Sequence, residues 1–397
     1  MLSERLVAAL RGVPAPVCAY VYDTGVLRER VAAVRDALPD TAELLYAVKA
    51  NGAPGVVAAL AGVVDGLEVA SGGELELAVR AGVRRIAFSG PAKTDAELGA
   101  AIEAGATLNV ESVLEIRRLA ALAAARPAAA STAGSASTAG GGTGPVRVAV
   151  RVNRAGPALP GSHRMTGVPT PFGLDESALD EAIALVRAEP GLELAGFHLH
   201  AVSNNLDAPA HAAFITDAVD WSRRAADRYG FGPPEVNVGG GFGIDHTGVD
   251  SFDLGALRGA LPAGVPLVFE LGRYLATPAG WYAAQVLDLK RNHGRWFAVL
   301  RGGTHHFRLP AAWGYSHPFT VLPTPDWPYP FERPEVRDVA VDAVGELCTP
   351  RDVLTRGQRV DRLRVGDVLV FGNAGGYGWD ISHHDFLRHE YPQMIII

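Results

Sequence analysis

Eight short apolar runs, most of them followed by a helical segment, recur over the first two-thirds of the chain. The runs lie at 44–48, 66–69, 85–89, 107–110, 146–152, 194–199, 236–238 and 267–269. Helical patterns separate them at 56–61, 73–81, 95–104, 112–125, 176–188 and 208–229, and a further helix is predicted over 252–261. Strands that alternate with helices predict an α/β fold with a parallel sheet, and eight such units predict a (β/α)8 TIM barrel.

The pattern changes after about residue 276. Strand-like runs at 281–287, 296–300, 336–343 and 368–371, separated by Gly/Pro turns, predict an all-β C-terminal domain, a β-barrel or sandwich. The run at 17–22 is a candidate for the same sheet. We therefore predict a barrel domain over 26–275 and a β domain formed by 1–25 and 276–397. The Ala/Ser/Thr/Gly-rich stretch at 126–145 is predicted to be a flexible surface insertion without chemistry, because it cannot bury enough apolar surface to order itself.

Composition excludes several classes of protein. The net charge of -7, without a basic cluster, argues against a nucleic-acid-binding protein. The N-terminus does not resemble a signal peptide and no apolar stretch reaches transmembrane length, which predicts a soluble cytoplasmic protein without a membrane partner. Two cysteines, Cys18 and Cys348, are too few and too far apart to indicate a disulfide framework.

Polar and charged residues follow the ends of the predicted barrel strands. Because the active site of a (β/α)8 barrel is built where the strands end, we expect these side chains to meet at one mouth. They are Lys49, Ser71, Lys93, Glu111, Arg151, Asn153, His200, Ser203, Gly239, Gly240, Gly241, Glu270 and Arg273.

This combination of residue types suits pyridoxal 5'-phosphate. Lys49 could bind its aldehyde if desolvation activates the amine, and the amides of Gly239–Gly241 form a nest for its phosphate. His200 could stack on the ring, and Glu270 could keep the pyridine nitrogen protonated, which favours decarboxylation. Each residue also has a structural alternative: a solvated lysine, a glycine turn, a core histidine, or an ion pair between Glu270 and Arg273.

The same residues resemble the fold-type III pyridoxal-phosphate decarboxylases, the alanine-racemase-like group that includes diaminopimelate and ornithine decarboxylases. The similar motifs are Tyr-Ala-Val-Lys-Ala-Asn at 46–51, Glu-Val-Ala-Ser-Gly-Gly-Glu at 68–74, Asn-Val-Glu-Ser at 109–112, Arg-Val-Asn at 151–153, Phe-His-Leu-His-Ala-Val-Ser at 197–203, Gly-Gly-Gly-Phe at 239–242 and Glu-Leu-Gly-Arg at 270–273. Gly-Glu-Leu-Cys-Thr-Pro-Arg-Asp at 345–352 and Gly-Gly-Tyr-Gly at 375–378 are similar to motifs of the second domain.

The resemblance implies a role for each matched residue. Lys49, His200 and Cys348 are the implied catalytic residues. The implied cofactor-binding residues are Lys49, Ser71, Arg151, His200, Ser203, Gly239, Gly240, Gly241, Glu270, Gly272, Arg273 and Tyr377. It further implies a homodimer in which Cys348 reaches the partner subunit's active site and acts on substrate as an acid or positioning group. A small buried hydrophobe is the structural alternative for Cys348.

The motifs also depart from the diaminopimelate enzymes. Thr349-Pro350-Arg351 follows the cysteine, where those enzymes commonly have Glu-Ser. The segments at 301–313 and 379–386 are more similar to a branch in siderophore biosynthesis that decarboxylates citryl-amino acids, such as citryl-diaminopropionate. The substrate-binding candidates are His305, His306, Arg308, Cys348 and Asp352. Arg308 and the histidines would suit citryl carboxylates, and Asp352 a substrate amine. Alternatively, the histidines are polar loop residues and Asp352 is a solvated turn residue.

Other functions remain as alternatives. Diaminopimelate decarboxylase is the first, and a catalytically inactive regulatory homologue is the second, although Lys49 and Cys348 are both retained. An amino-acid racemase is disfavoured, because the Cys348 loop stands where a second-base tyrosine is expected. The paired histidines at 305–306 and 383–384 lack the acid-and-histidine spacing of a metal site, so we predict no metal.

Overall fold

The computed structural model describes residues 2–126, 144–156 and 159–397. Most of the predicted insertion at 126–145 lies outside these residues. The chain divides into two compact units: a barrel unit of residues 28–244 and 251–274, and a sheet unit of residues up to 27, 245–250 and 275–397.

Eight parallel strands, labelled β1 to β8 in chain order, form the barrel unit. Each strand pairs with the next, and β8 pairs with β1, so the sheet is closed. This confirms the predicted (β/α)8 barrel. The strands are Glu43–Ala47, Gly66–Val69, Ile86–Phe88, Thr107–Val110, Val146–Asn153, Leu192–His198, Glu235–Gly239 and Leu267–Leu271.

Helices follow most of the barrel strands. They are Pro54–Ala61, Gly72–Ala81, Asp95–Glu103, Val113–Ala124, Leu179–Ala188, Ala208–Tyr229 and Arg273–Ala276, and a further helix, Thr24–Arg35, precedes β1. Ser71, Thr94 and Ser112 each cap a helix by accepting a backbone N–H bond, which satisfies donors that the first turn leaves unpaired. No helix within the described residues combines the length and apolar character needed to cross a bilayer.

The helix predicted over 252–261 is wrong. Only a three-residue 3-10 turn, Leu254–Ala256, occurs there. Two glycines disfavour the longer helix, since Gly255 is a weak helix former and Gly259 has a left-handed backbone with φ of +74°. Pro262 follows directly and biases residue 261 away from helical geometry.

The side chains inside the barrel change from apolar to polar along the strands. Leu45, Ala87 and Val268 form a fully buried apolar cluster on three of the strands. Arg85 bridges Glu43 and Glu235 at the ends where the strands begin. Polar side chains gather toward the opposite strand ends, where the sequence predicts the active site.

The sheet unit contains an eight-stranded sheet, which confirms the predicted β second domain, although the unit is mostly β rather than all-β because it also carries helices. Its strands are Cys18–Tyr22, Gly280–Asn292, Arg295–Leu300, Phe319–Leu322, Glu335–Val344, Val353–Arg364, Val368–Phe371 and Gln393–Ile396. The N-terminal strand Cys18–Tyr22 joins it as predicted, antiparallel to Gly280–Asn292 and parallel to Gln393–Ile396. An amphipathic helix, Glu4–Arg11, buries Leu6 and Leu10 against this sheet. A short helix, Leu309–Trp313, follows strand Arg295–Leu300 along the chain.

Candidate active site

Lys49 lies in a short 3-10 turn, Val48–Ala50, directly after β1. Its Nζ donates a hydrogen bond to Oε2 of Glu68 in β2, over 2.6 Å. The Glu68 side chain is fully buried, whereas that of Lys49 is 45% exposed. The amine is therefore accessible to a reactant and is held by a buried carboxylate. The sequence reasoning did not assign Glu68 a role, although an acidic residue inside the apolar run 66–69 was a signal for it.

Glu270 in β8 is the centre of a buried hydrogen-bond network. Its Oε2 lies 3.1 Å from Nε2 of His198, and its Oε1 accepts bonds from Nδ2 of Asn237 at 2.7 Å and of Asn109 at 3.4 Å. Burial alone would raise the pKa of Glu270. The charge and hydrogen bond of His198, with smaller contributions from Lys49 and Asn237, outweigh burial and lower that pKa well below its usual range. Glu270 is therefore held as a carboxylate.

His198, Asn237 and Asn109 were not predicted as site residues. Each lies within one of the parallel barrel strands, in a sequence run that is otherwise largely apolar. A buried polar side chain requires partners, so a polar residue inside a barrel strand is a detectable signal. The sequence could not show that three separate strands direct these groups to one carboxylate.

His200 is seated against the glycine loop at 239–241. The backbone N–H of Gly240 donates to its Nδ1 over 3.2 Å, which leaves the proton of a neutral ring on Nε2. Burial is the main cause that lowers the pKa of His200 well below its usual value, and the charges of Arg151 and His198 add to it. The imidazole is therefore neutral and fixed in orientation, as a stacking group requires.

All three glycines of the loop are required by close packing. A Cβ at Gly239 would lie 2.4 Å from Nδ1 of His200, and one at Gly240 would lie 2.3 Å from the carbonyl oxygen of Glu270. At Gly241, where φ is +105°, a Cβ would lie 2.5 Å from the carbonyl oxygen of Val202. The loop is thus both a turn and a bare backbone surface of the kind that binds a phosphate.

The residues present fit pyridoxal phosphate. Three buried polar atoms of this cluster, Oε1 of Glu68, Oδ1 of Asn109 and Nδ1 of His198, make no hydrogen bond to any described residue. Such atoms are uncommon in folded proteins and indicate a missing polar partner. The same cluster supplies an accessible amine, an ionised carboxylate, a fixed neutral imidazole and a glycine cradle, which are the groups the cofactor needs.

The other predicted barrel residues lie at or near the strand ends. Arg151 is buried in β5, with its Nη1 2.9 Å from Oε1 of Glu111. Ser71 caps the helix Gly72–Ala81, and Ser203 lies in a two-residue strand, Val202–Ser203. Arg273 is buried at the start of the helix that follows β8.

Gly272, Lys93 and Asn153 also occupy strand ends. A Cβ at Gly272 would lie 2.8 Å from the Cβ of Ala50, one residue after Lys49, so this glycine permits close packing there. The predicted strand-end residue Lys93 is fully paired inside the barrel unit, with Oε1 of Glu115 at 2.6 Å, which indicates a structural role. Asn153 at the end of β5 donates to the carbonyl oxygen of Val168 over 3.1 Å.

Burial separates the residues predicted for the second domain into two groups. His305 and His306 are buried, with His306 Nδ1 3.4 Å from Sγ of Cys18, whereas Cys348 and Arg308 are exposed. Tyr377 is partly exposed and has a left-handed backbone with φ of +56°, a strained conformation that is common at functional positions.

Asp352 organises the loop that carries Cys348. Its two carboxylate oxygens accept backbone N–H bonds from Thr304 at 2.6 Å and from Leu347 at 2.8 Å. It is buried, and Gly345 approaches it so closely that a Cβ there would lie 2.2 Å from Oδ2. Both oxygens are therefore committed to loop structure. In the described part of the chain, no group of three His, Cys, Asp or Glu side chains is arranged to hold a metal ion.

The closed parallel barrel with its lysine, carboxylate and glycine cradle, together with a mostly β second unit, defines a fold-type III pyridoxal-phosphate enzyme. The family model for the pyridoxal-dependent decarboxylase, pyridoxal binding domain, matches residues 24–276. The chain belongs to this family. It is a pyridoxal-phosphate-dependent carboxy-lyase that acts on a small-molecule amino acid.

Known proteins are similar over nearly the whole chain. The 2-[(L-alanin-3-ylcarbamoyl)methyl]-2-hydroxybutanedioate decarboxylase of Staphylococcus aureus is 35% identical, over 99% of this chain and 97% of its own. The diaminopimelate decarboxylase of Aquifex aeolicus is 28% identical, over 95% and 86%. The diaminopimelate decarboxylase of Helicobacter pylori, crystallised with L-lysine, superposes with a TM-score of 0.81 at 22% identity, over 98% and 93%, and shares the fold.

Proposed function

We propose that this enzyme decarboxylates a citryl-amino acid of the citryl-diaminopropionate type in siderophore biosynthesis. The observation that carries the proposal is the similarity to the Staphylococcus aureus decarboxylase, at 35% identity over nearly both full chains. The substrate in that enzyme's name has an alanine end, which bears the amino acid carboxylate, and a hydroxybutanedioate end with two further carboxylates. The departures of the 345–352 motif from the diaminopimelate enzymes support the same choice.

The barrel residues have separate tasks in this proposal. Lys49 would bind the cofactor aldehyde, and Glu270 would hydrogen-bond the ring nitrogen as a carboxylate. His200 would stack on the ring, while Gly239–Gly241, Ser203 and Arg273 would bind the phosphate. The family resemblance also assigns Tyr377 a phosphate contact. When bound, pyridoxal phosphate supplies an aldehyde that condenses with amines and a ring that accepts the electron pair left on Cα when CO2 departs. Ser71 and Arg151 support the site, Ser71 through its helix cap and Arg151 through Glu111.

Two carboxylates control protons around this site. Glu68 hydrogen-bonds the Lys49 amine at 2.6 Å and is placed to accept the proton that the amine must lose before it can attack. Glu270 is surrounded by three donors, which keep it ionised and pointed in one direction. Removal of these donors would weaken its hold on a protonated ring nitrogen.

Protonation of the product carbon falls to Cys348 or Lys49 in this proposal. Cys348 is exposed on a loop that Asp352 braces from inside, so the thiol is presented on a rigid segment. We propose a homodimer in which this loop reaches the partner subunit's barrel. His305 and His306, which are buried, would support the loop indirectly. A thiol with this task must stay reduced, which supports a cytoplasmic enzyme.

The test is release of CO2 by purified, cofactor-loaded enzyme from citryl-diaminopropionate, citryl-serine and diaminopimelate, with products identified by mass. We expect turnover of a citryl-amino acid and little lysine formation from diaminopimelate. Diaminopimelate decarboxylase is the second candidate, favoured by the 28% identical Aquifex aeolicus relative. Efficient lysine formation without turnover of either citryl compound would overturn the first proposal.

A further inference from the structure

A cavity of about 750 Å³ in the sheet unit is lined by positive charge. Arg308, Arg351, Arg356 and His383 contribute to its wall, and none of the described residues that line it is acidic. The chain as a whole has more acidic than basic residues, 43 against 36. A cavity with three guanidinium groups and no carboxylate is therefore unlike the average surface of this protein.

The three guanidinium groups have no acidic partner in the described part of the chain. Within the described residues, no carboxylate lies within 4.0 Å of the side chains of Arg308, Arg351 or Arg356, whereas the nearby Arg301 pairs with Glu346 at 2.6 Å. Unpaired guanidinium groups around a concave surface attract anions, because each can bind a carboxylate through two parallel hydrogen bonds.

The backbone on both sides of the cavity is held in place. The N–H of Arg308 donates to Oγ of Ser382 at 3.0 Å, and the N–H of Arg356 donates to Oγ of Ser316 at 2.8 Å. The positive field also affects the lining histidine: burial is the main cause that lowers the pKa of His383, and the charge of Arg308 is the next. The arginine side chains thus extend from fixed positions toward one space.

We infer that this cavity binds the two carboxylates of the hydroxybutanedioate end of the substrate, an inference that rests on the proposed function. Arg351 lies three residues after Cys348, and Thr349 and Pro350 between them also line the cavity. A ligand held here by its dicarboxylate end would extend its other end toward the thiol. The distal end of diaminopimelate is a zwitterion with one ammonium group and a single carboxylate, so the cavity should favour the hydroxybutanedioate end with its two carboxylates.

Citrate is a direct probe, because it carries the same hydroxydicarboxylate group and needs no turnover. We expect citrate to bind the cofactor-loaded enzyme in calorimetric titrations and to bind more weakly as ionic strength rises. Arg351→Gln and Arg356→Gln should each weaken binding about 10- to 100-fold, the range for a lost charged hydrogen bond. Arg291→Gln is the matched control, since Arg291 is an exposed arginine of the same unit outside the cavity.

A further variant adds a negative charge to the cavity instead of removing a positive one. Ala312→Glu adds a carboxylate to the wall at an exposed position, where folding should tolerate it, and should abolish citrate binding. The inference is overturned if citrate does not bind the wild type, or if the arginine variants bind it like Arg291→Gln.

Kinetics separate this inference from the proposed function. With citryl-diaminopropionate, the Arg351 and Arg356 variants should raise KM about 10- to 100-fold with the cofactor absorbance unchanged. If the wild-type enzyme turns over citryl-diaminopropionate and these variants have the same KM as the wild type, the cavity's role is refuted and the proposed function is retained. Arginine-dependent citrate binding by an enzyme that turns over no citryl compound would refute the proposed function and leave the cavity as an anion site.

Discussion

Gly239→Ala should disrupt the packing of the His200 imidazole against the glycine loop and thereby weaken cofactor binding. Gly239 ends β7 with φ of +67°, and an added Cβ would lie 2.4 Å from Nδ1 and 2.7 Å from Cγ of His200. Both atoms belong to the imidazole ring, so the methyl group can be accommodated only if the ring or the loop moves. A moved ring loses its hydrogen bond from Gly240, and the loop loses its fixed position.

Gly230→Ala is a matched control in the same unit. Gly230 follows the helix Ala208–Tyr229 with φ of +66°, and a Cβ there meets nothing within 4 Å. Both substitutions therefore cost about 1–2 kcal/mol for a left-handed alanine. Gly239→Ala additionally costs about 1–3 kcal/mol for overpacking. At about 2–4 °C per kcal/mol, its Tm should be lower than that of the control by about 2–12 °C.

Thermal unfolding with and without pyridoxal phosphate, and titration of the cofactor absorbance band, measure both effects. Loss of ring stacking, about 0.5–1.5 kcal/mol, should weaken cofactor affinity about 2- to 13-fold in Gly239→Ala and leave it unchanged in Gly230→Ala. Equal Tm and equal cofactor affinity in the two variants would refute the coupling between the glycine loop and His200.

Three further predictions concern the assigned residues. Lys49→Ala should lose both the protein-bound cofactor absorbance and all turnover, and retained turnover would refute its role. Cys348→Ala should keep the cofactor band while kcat falls about 10²- to 10⁴-fold, as for loss of a proton donor, and an unchanged kcat would exclude it as donor. Because folding lowers the pKa of Glu270, its stabilising contribution is complete above its unfolded pKa of about 4.3 and is lost as pH falls below that value. Glu270→Gln should therefore have a shallower loss of Tm with acid than the wild type, and parallel curves would contradict this.

Local patterns were sufficient to predict most of the fold. The predicted strand runs and the barrel helices up to 229 correspond to observed elements, because each is encoded by apolar periodicity and caps within a few residues, such as Ser71 before Gly72–Ala81. The prediction of a helix at 252–261 was wrong because the backbone preferences of two glycines outweighed an apparent helical pattern in the sequence. The predicted roles of the site residues remain predictions that the variants above can test.

The amino-acid pattern was enough to predict the parallel barrel and the sheet unit. It also predicted that Lys49, His200, the glycine loop and Glu270 lie at strand ends, and in a parallel barrel all strand ends lie at the same mouth. Which of these groups contact one another became clear only from the folded structure. Asn109, His198 and Asn237 come from three strands to surround Glu270, and Arg308 meets Arg351 and Arg356 from a distant part of the chain to line one cavity. Contacts between residues far apart in sequence depend on strand pairing and packing, and a single sequence does not encode those in any local pattern.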